Sequence, residues 1–86
     1  DIIAREGDVL AIIEVKTRRG RGAGTPEQAV DAHKQRKLCQ LAQCYAESIG
    51  WEGEMRLDVV GVELSPAGKL LRVSHWPAAI ECWELW

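Results

Sequence analysis

Val9-Leu10-Ala11-Ile12-Ile13-Glu14-Val15-Lys16 is the stretch whose reading decides the fold. Its first five residues are apolar on both alternating faces, the pattern of a strand covered on both sides. Residues 1–5 precede it as a second strand, and Glu6-Gly7-Asp8 supplies turn chemistry between them, so the start of the chain reads as a β-hairpin. Residues 17–24, rich in Arg and Gly and without apolar periodicity, read as a loop. Thr25-Pro26-Glu27-Gln28 has the features of a helix start: Thr as cap, Pro at the first position, Gln three residues on. Asp31 is a second candidate cap in the same region. The helix is expected to run to about Ile49, with Gly50 ending it. Its apolar stripe is Leu38, Leu41, Ala42, Tyr45 and Ile49.

Beyond the helix come a strand over 57–64, a Ser65-Pro66-Ala67-Gly68 turn and a strand over 69–75. After Pro77, the residues Ala79, Ile80, Trp83 and Trp86 have helical spacing. The expected order is ββαββα, an α/β domain with a mixed sheet. The strand-helix-strand portion from Val9 to Leu64 favours a parallel pair joined by a right-handed crossover.

The chain has 86 residues, 47% of them hydrophobic and 28% charged, which allows one domain and argues against disorder. A domain this small buries only about 60% of the surface its unfolded chain exposes. The longest apolar run, 9–13, is far short of the roughly 20 residues of a membrane helix. No signal peptide is visible, which leads us to expect a cytoplasmic protein with no membrane partner. The sequence begins at Asp1, inside a strand and without Met, and reads as a single domain over 1–86 trimmed at its N-terminus.

Cys39 and Cys44 lie five residues apart on one helix, where their side chains diverge, so a bridge between them is not expected. With Cys82 they make three, and no C-x-x-C pair or adjacent His points to zinc. Reduced thiols are the expectation.

The net charge of −2 conceals a strong asymmetry: residues 1–15 carry −3, residues 16–37 carry +5 and residues 38–86 carry −4. A basic segment bracketed by acidic ones is suited to binding a polyanion locally.

Glu14 and Lys16 share one face of their strand while Val15 points away. Ionisable groups that end a buried strand are costly unless paired, metal-bound or solvent-facing. With a two-residue hairpin loop, Gly7-Asp8 or Glu6-Gly7, Asp1 faces Glu14 directly or diagonally, and both carboxylates fall on one face. Two carboxylates and a lysine suit phosphodiester hydrolysis: Asp1 and Glu14 would hold Mg²⁺ or Mn²⁺, the Val15 carbonyl would be a further ligand, and Lys16 would orient water or stabilise developing charge. E-x-K taken alone is a weak motif and reads more readily as a surface ion pair. Counting back along the helix stripe from 38 places the amide of Gln35 near the same corner, where it would position water or substrate; a first-turn amide used for capping is the competing reading. Arg18, Arg19, Arg21, Lys34, Arg36 and Lys37 flank that corner and would contact phosphates without reading bases; the competing reading is a solvated charged loop. No aromatics are interleaved with them, so base stacking is unsupported. His33 and His75 read as surface or structural residues. Asp58 reads either as a hydrogen-bonding group beneath the site or as ordinary strand-start solvation. The tryptophans at 76, 83 and 86 read as core; a homodimer is expected through the stripe Ala79, Ile80, Trp83 and Trp86, the competing reading being that this stripe packs on the domain's own sheet.

Asp1-Ile2-Ile3-Ala4-Arg5, Val9 onward to E-V-K-T-R, Ala29-Val30 with Lys34-Gln35-Arg36, and Leu57-Asp58-Val59-Val60 together resemble the YraN family. This is an uncharacterised bacterial family similar to Holliday-junction resolvases of the PD-(D/E)XK nuclease superfamily. The resemblance covers Asp1 to about Val62. It implies a restriction-endonuclease-like mixed sheet with flanking helices, an active-site signature of Asp1, Glu14 and Lys16, and Gln35 as the glutamine of the following helix. It also implies a helix before Asp1 that this chain lacks. The expectation is therefore a Mg- or Mn-dependent endonuclease acting on DNA, branched or otherwise structured. The alternative is a non-catalytic nucleic-acid-binding or assembly module on a degenerate nuclease scaffold.

Overall fold

Eleven consecutive residue pairs, from Val9↔Glu54 to Arg19↔Leu64, join two parallel strands at the centre of the computed structural model, which describes residues 2–20 and 30–82. These are β2 (Val9–Arg19) and β3 (Glu54–Leu64); β1 (Ile2–Glu6) pairs antiparallel on the far side of β2 and β4 (Leu70–Ile80) antiparallel on the far side of β3. The sheet order is β1-β2-β3-β4, and α1 (Ala32–Ile49) lies in the connection between the parallel pair. A mixed α/β domain with a parallel crossover is thus what forms. Among the described residues there is one helix, and the order is ββαββ.

The hairpin register Ile2↔Ile13 to Glu6↔Val9 leaves a two-residue Gly7-Asp8 loop, with Gly7 at φ +58°. That is one of the two registers the sequence allows. Asp31 caps α1, its side chain accepting from the Lys34 N–H at 2.8 Å. At the other end Gly50 is left-handed at φ +68°; its N–H donates to the Glu47 carbonyl at 3.3 Å and that of Trp51 to the Ala46 carbonyl at 2.8 Å, a Schellman termination. The Thr25 helix start, Arg21 and Asp1 lie outside the described residues.

The core lies between α1 and one face of the sheet. Ile12, Leu57, Val59 and Ile80 from the strands meet Val30, Leu38, Cys39 and Ala42. Trp76 packs against this cluster, and Gly61 gives it room, since a Cβ there would stand 3.0 Å from the indole. By strand alternation the opposite face carries Ile2, Ile13, Val60, Val62 and Val73, with Ile2 and Val73 exposed.

Four expectations are corrected. Residues 17–19 are not loop but the end of β2, because pairing with β3 outweighs their composition. The buried side of the helix is rotated from the expected stripe: Leu38 and Ala42 are buried as expected, joined by Cys39 and Ala46, whereas Leu41, Tyr45 and Ile49 are exposed. Residues after Pro77 continue β4 instead of starting a helix, and Ile80 is buried opposite Leu57 in this domain's own core, so it does not belong to a dimer stripe. Trp83 and Trp86 lie outside the described residues. Finally, Cys39 and Cys82 form a disulfide with Cα atoms 5.7 Å apart, and Cys44 alone is a free, exposed thiol. The return of β4 along β3 brings residue 82 to the helix, a juxtaposition that spacing along one helix does not reveal.

The extension of β4 past Pro77 depends on a bulge. Leu57 pairs with Ile80 and Val59 with Trp76, so Pro77, Ala78 and Ala79 all stand opposite Asp58. Asp58 is fully buried and binds the loose segment: its carboxylate accepts from the Ala78 N–H at 2.8 Å and from Arg56 Nε at 3.3 Å, and meets His75 Nε2 at 2.8 Å. Ala78 sits at φ +51°, a conformation that non-glycine residues seldom adopt without such support.

Two stability outcomes follow. Asp58→Ala leaves the Ala78 N–H unpaired and should lower unfolding free energy by about 1–3 kcal/mol more than Asp58→Asn, which keeps an acceptor; urea denaturation measures both. Reduction of the Cys39–Cys82 bond, with its separation of 43 residues, should cost about 2–4 kcal/mol. In that experiment dithiothreitol lowers the urea midpoint of the wild type and leaves that of Cys82→Ser unchanged.

Candidate functional site: a carboxylate between two lysines

Leu10, Ile12, Glu14 and Lys16 alternate onto the face of β2 that α1 covers. The apolar part of this row ends at Ile12, yet Glu14 is still only 6% exposed. A carboxylate removed from water to that extent needs a cationic partner. It has two: Lys34 Nζ stands 3.1 Å from Glu14 Oε1, and Lys16 Nζ stands 3.7 Å from the same oxygen. Lys16 comes from the strand itself. Lys34 comes from the first turn of α1, whose geometry is fixed by the Asp31 cap on its own N–H.

The two ammonium groups perturb each other. Proximity to Lys34 is the main cause lowering the Lys16 pKa, with burial adding to it and Glu14 opposing it. Lys34 is raised, by its contact with Lys16 first and by Glu14 next. Of the two, Lys16 is therefore the lysine that releases its proton more readily.

A cleft of about 400 Å³ opens beside this cluster, lined by Glu14, Asp31, His33, Lys34, Lys37 and Leu38 among others. Its two lysines, Lys34 and Lys37, are matched by two carboxylates, Glu14 and Asp31, so the cleft is mixed in charge, with Lys37 the lysine that has no contact to Glu14.

The structure brings together some of the residues singled out in the sequence and separates others. Glu14, Lys16, Lys34 and Lys37 converge. Gln35 does not join the cleft lining; its side-chain Nε2 donates to the Val30 carbonyl at 2.8 Å, the capping use of a first-turn amide. Val15 faces away, opposite Val60. Arg18, on the Glu14 face of β2, stands opposite Glu63, and Arg19 reaches over the Gly68 turn. Arg36 is exposed on α1. Asp1 and Arg21 lie outside the described residues. Among the described residues no three His, Cys, Asp or Glu side chains come together as a metal site.

Sequence reading missed Lys34 as a partner of Glu14. The Asp31–Lys34 capping spacing, at a helix entering from a parallel crossover, was the signal for it. The bulge function of Asp58 was also missed. Since Ile13 pairs with Asp58 and Glu14 with Val59, Asp58 and Glu14 occupy opposite faces of the sheet.

Comparison with known proteins places these residues in a family context. The model of the Uncharacterised protein family UPF0102, the YraN family, matches residues 1–62. A UPF0102 protein of Symbiobacterium thermophilum is 54% identical over 71 residues, 81% of this chain and 60% of that protein. One from Dictyoglomus turgidum is 39% identical over 80 residues, 92% of this chain and 68% of that protein. One from Dictyoglomus thermophilum is 42% identical over 72 residues, 83% and 61% of the two chains. The chain thus spans from 60% to 68% of the length of these relatives. No solved structure matches it, and no helix among the described residues is long and apolar enough to cross a membrane.

The lysine coupling has a direct spectroscopic consequence. Lys34→Met removes the main cause lowering Lys16, so the Lys16 pKa should rise toward the ordinary lysine value. Side-chain NMR titration of selectively labelled lysine reads this; an unchanged Lys16 titration would contradict the coupling.

Proposed function

We propose that this chain, which belongs to the uncharacterised protein family UPF0102, carries a phosphodiester-hydrolysing site of the nuclease kind, acting on DNA and centred on Glu14 and Lys16. The single observation that carries the reading is a buried carboxylate just past the apolar run of the central strand, shared by two lysines and beside an open cleft. Lys16, on the same face as Glu14 and in contact with it, is suited to orient the attacking water and to stabilise charge developing on the phosphate. Lys37 and the arginines at 18 and 19 would hold neighbouring phosphates without reading bases. Branched DNA is the substrate class that the resolvase resemblance favours.

The donor chemistry suits an oxygen-preferring divalent cation, Mg²⁺ or Mn²⁺: Glu14 is an anionic oxygen ligand at which the protein itself already places a cation. Asp1, which lies outside the described residues, would be the second carboxylate that the family resemblance implies. The Val15 carbonyl would be a further oxygen donor. Such an ion, when bound, would polarise the phosphate and acidify water.

A second reading rests on the same ion pairs. A carboxylate neutralised by two lysines is complete without a metal, as in a non-catalytic nucleic-acid-binding module on this scaffold. The two readings separate on junction, flap and duplex DNA incubated with the full chain and Mn²⁺. Hydrolysis is expected, abolished by Glu14→Ala and reduced about 10²-fold by Lys16→Ala. Cleavage indifferent to both changes would remove the assignment, and salt-sensitive binding without cleavage would establish the second reading.

A further inference from the structure

Lys34 occupies the oxygen of Glu14 on which the proposed cation would rest. We propose that Lys34 is a resident counter-ion that competes with divalent cations for Glu14, so that a cation binds only as the Lys34 ammonium leaves; this rests on the reading of Glu14 as a cation ligand given above. The shorter of the two ion pairs on Glu14 Oε1 is the one to Lys34, 3.1 Å against 3.7 Å for Lys16. The Glu14 side chain is 7% exposed, so its charge requires a close cation whether or not a metal is present. An ammonium and a metal ion on one carboxylate oxygen would repel each other, so the closer ammonium, that of Lys34, opposes metal binding the more strongly.

The geometry lets Lys34 leave without disturbing the fold. Its backbone N–H is fixed to the Asp31 cap at 2.8 Å, so only the flexible four-carbon stem has to move. Its side chain is already 43% exposed, whereas that of Lys16 is 26% exposed on a strand paired along its length. The released ammonium stays in the cleft that His33 and Lys37 also line, where a phosphate oxygen is its alternative partner. Lys34 is thus a positioning residue, acting on the reaction through Glu14.

Calorimetric titration of the full chain with Mn²⁺ tests this without reference to activity. Lys34→Met, which keeps the aliphatic stem, should bind Mn²⁺ at least about fivefold more tightly than the wild type. Lys37→Met removes the same charge from the same cleft without a contact to Glu14, and should change the affinity by clearly less. Lys34→Arg should remain close to the wild type, and Glu14→Gln should abolish binding. Equal Mn²⁺ affinity in the wild type and Lys34→Met, or equal gains from Lys34→Met and Lys37→Met, would overturn the inference while leaving the metal reading intact. No Mn²⁺ binding by any of these proteins would overturn both.

Discussion

Parallel pairing of β2 with β3 is the constraint from which the rest of the structure follows. Two parallel neighbours cannot be joined by a tight turn; the chain must cross back over one face of the sheet before the second strand begins. In this chain the return carries α1, whose side containing Leu38, Cys39 and Ala42 closes on Ile12, Leu57 and Val59. A helix that descends along such a pair starts near the C-terminal end of the first strand, the position where open α/β sheets hold their ligands. Glu14 and Lys16 follow the apolar run into the C-terminal half of β2, and the first turn of α1 delivers Lys34 to them. The convergence of this half of the strand with the helix start is thus a topological result, and the side chains exploit it.

The energetics at Glu14 differ from those of an ordinary surface pair. Exposed ion pairs contribute about 0–1 kcal/mol and are screened by salt. Glu14 is enclosed by α1 and β2, so its lysines chiefly offset a desolvation cost that the fold has already imposed. A buried charge of this kind is poor value for stability compared with an apolar residue of the same size. Its presence directly after the apolar run of β2 is better accounted for by chemistry than by packing. Asp58 is the contrasting case: equally buried, on the other face, and fully engaged with His75, Arg56 and the Ala78 N–H in holding a bulge. Two buried acids in one small sheet therefore serve different ends, and their partners distinguish them.

How much of this was legible in the sequence depended on the range of the interactions. The β2 run, the Gly7-Asp8 hairpin loop, the Gly50 terminus and the Asp31 cap are set by neighbours in the chain, and each can be read from residue type and spacing. The family resemblance and the strand-end pair Glu14 and Lys16 were legible for the same reason. Features set by distant partners were not. Thr17, Arg18 and Arg19 look like loop until β3 is beside them, and Ile80 looks helical until Leu57 faces it. Of the helix stripe, Leu38 and Ala42 were read correctly, but Leu41, Tyr45 and Ile49 satisfy the period without meeting the sheet, which takes the smaller Cys39 and Ala46 in their stead. Gln35 was placed by periodicity near the site, but a nearer acceptor, the Val30 carbonyl, holds its amide.

The Cys39–Cys82 bond has a mechanical meaning apart from its contribution to stability. It closes a covalent ring that includes β3, most of α1 and all of β4. Tension applied at the two ends of the chain would enter the helix at Cys39, cross the sulfur–sulfur bond and leave at Cys82, bypassing the enclosed polypeptide. The hairpin of β1 and β2, lying outside the ring, would bear the load and peel from β3, so that the Glu14 corner is dismantled while the β3–β4 ladder goes unstretched. With the bond reduced, the same pull would reach every strand, and the contour length released would grow by the whole enclosed segment.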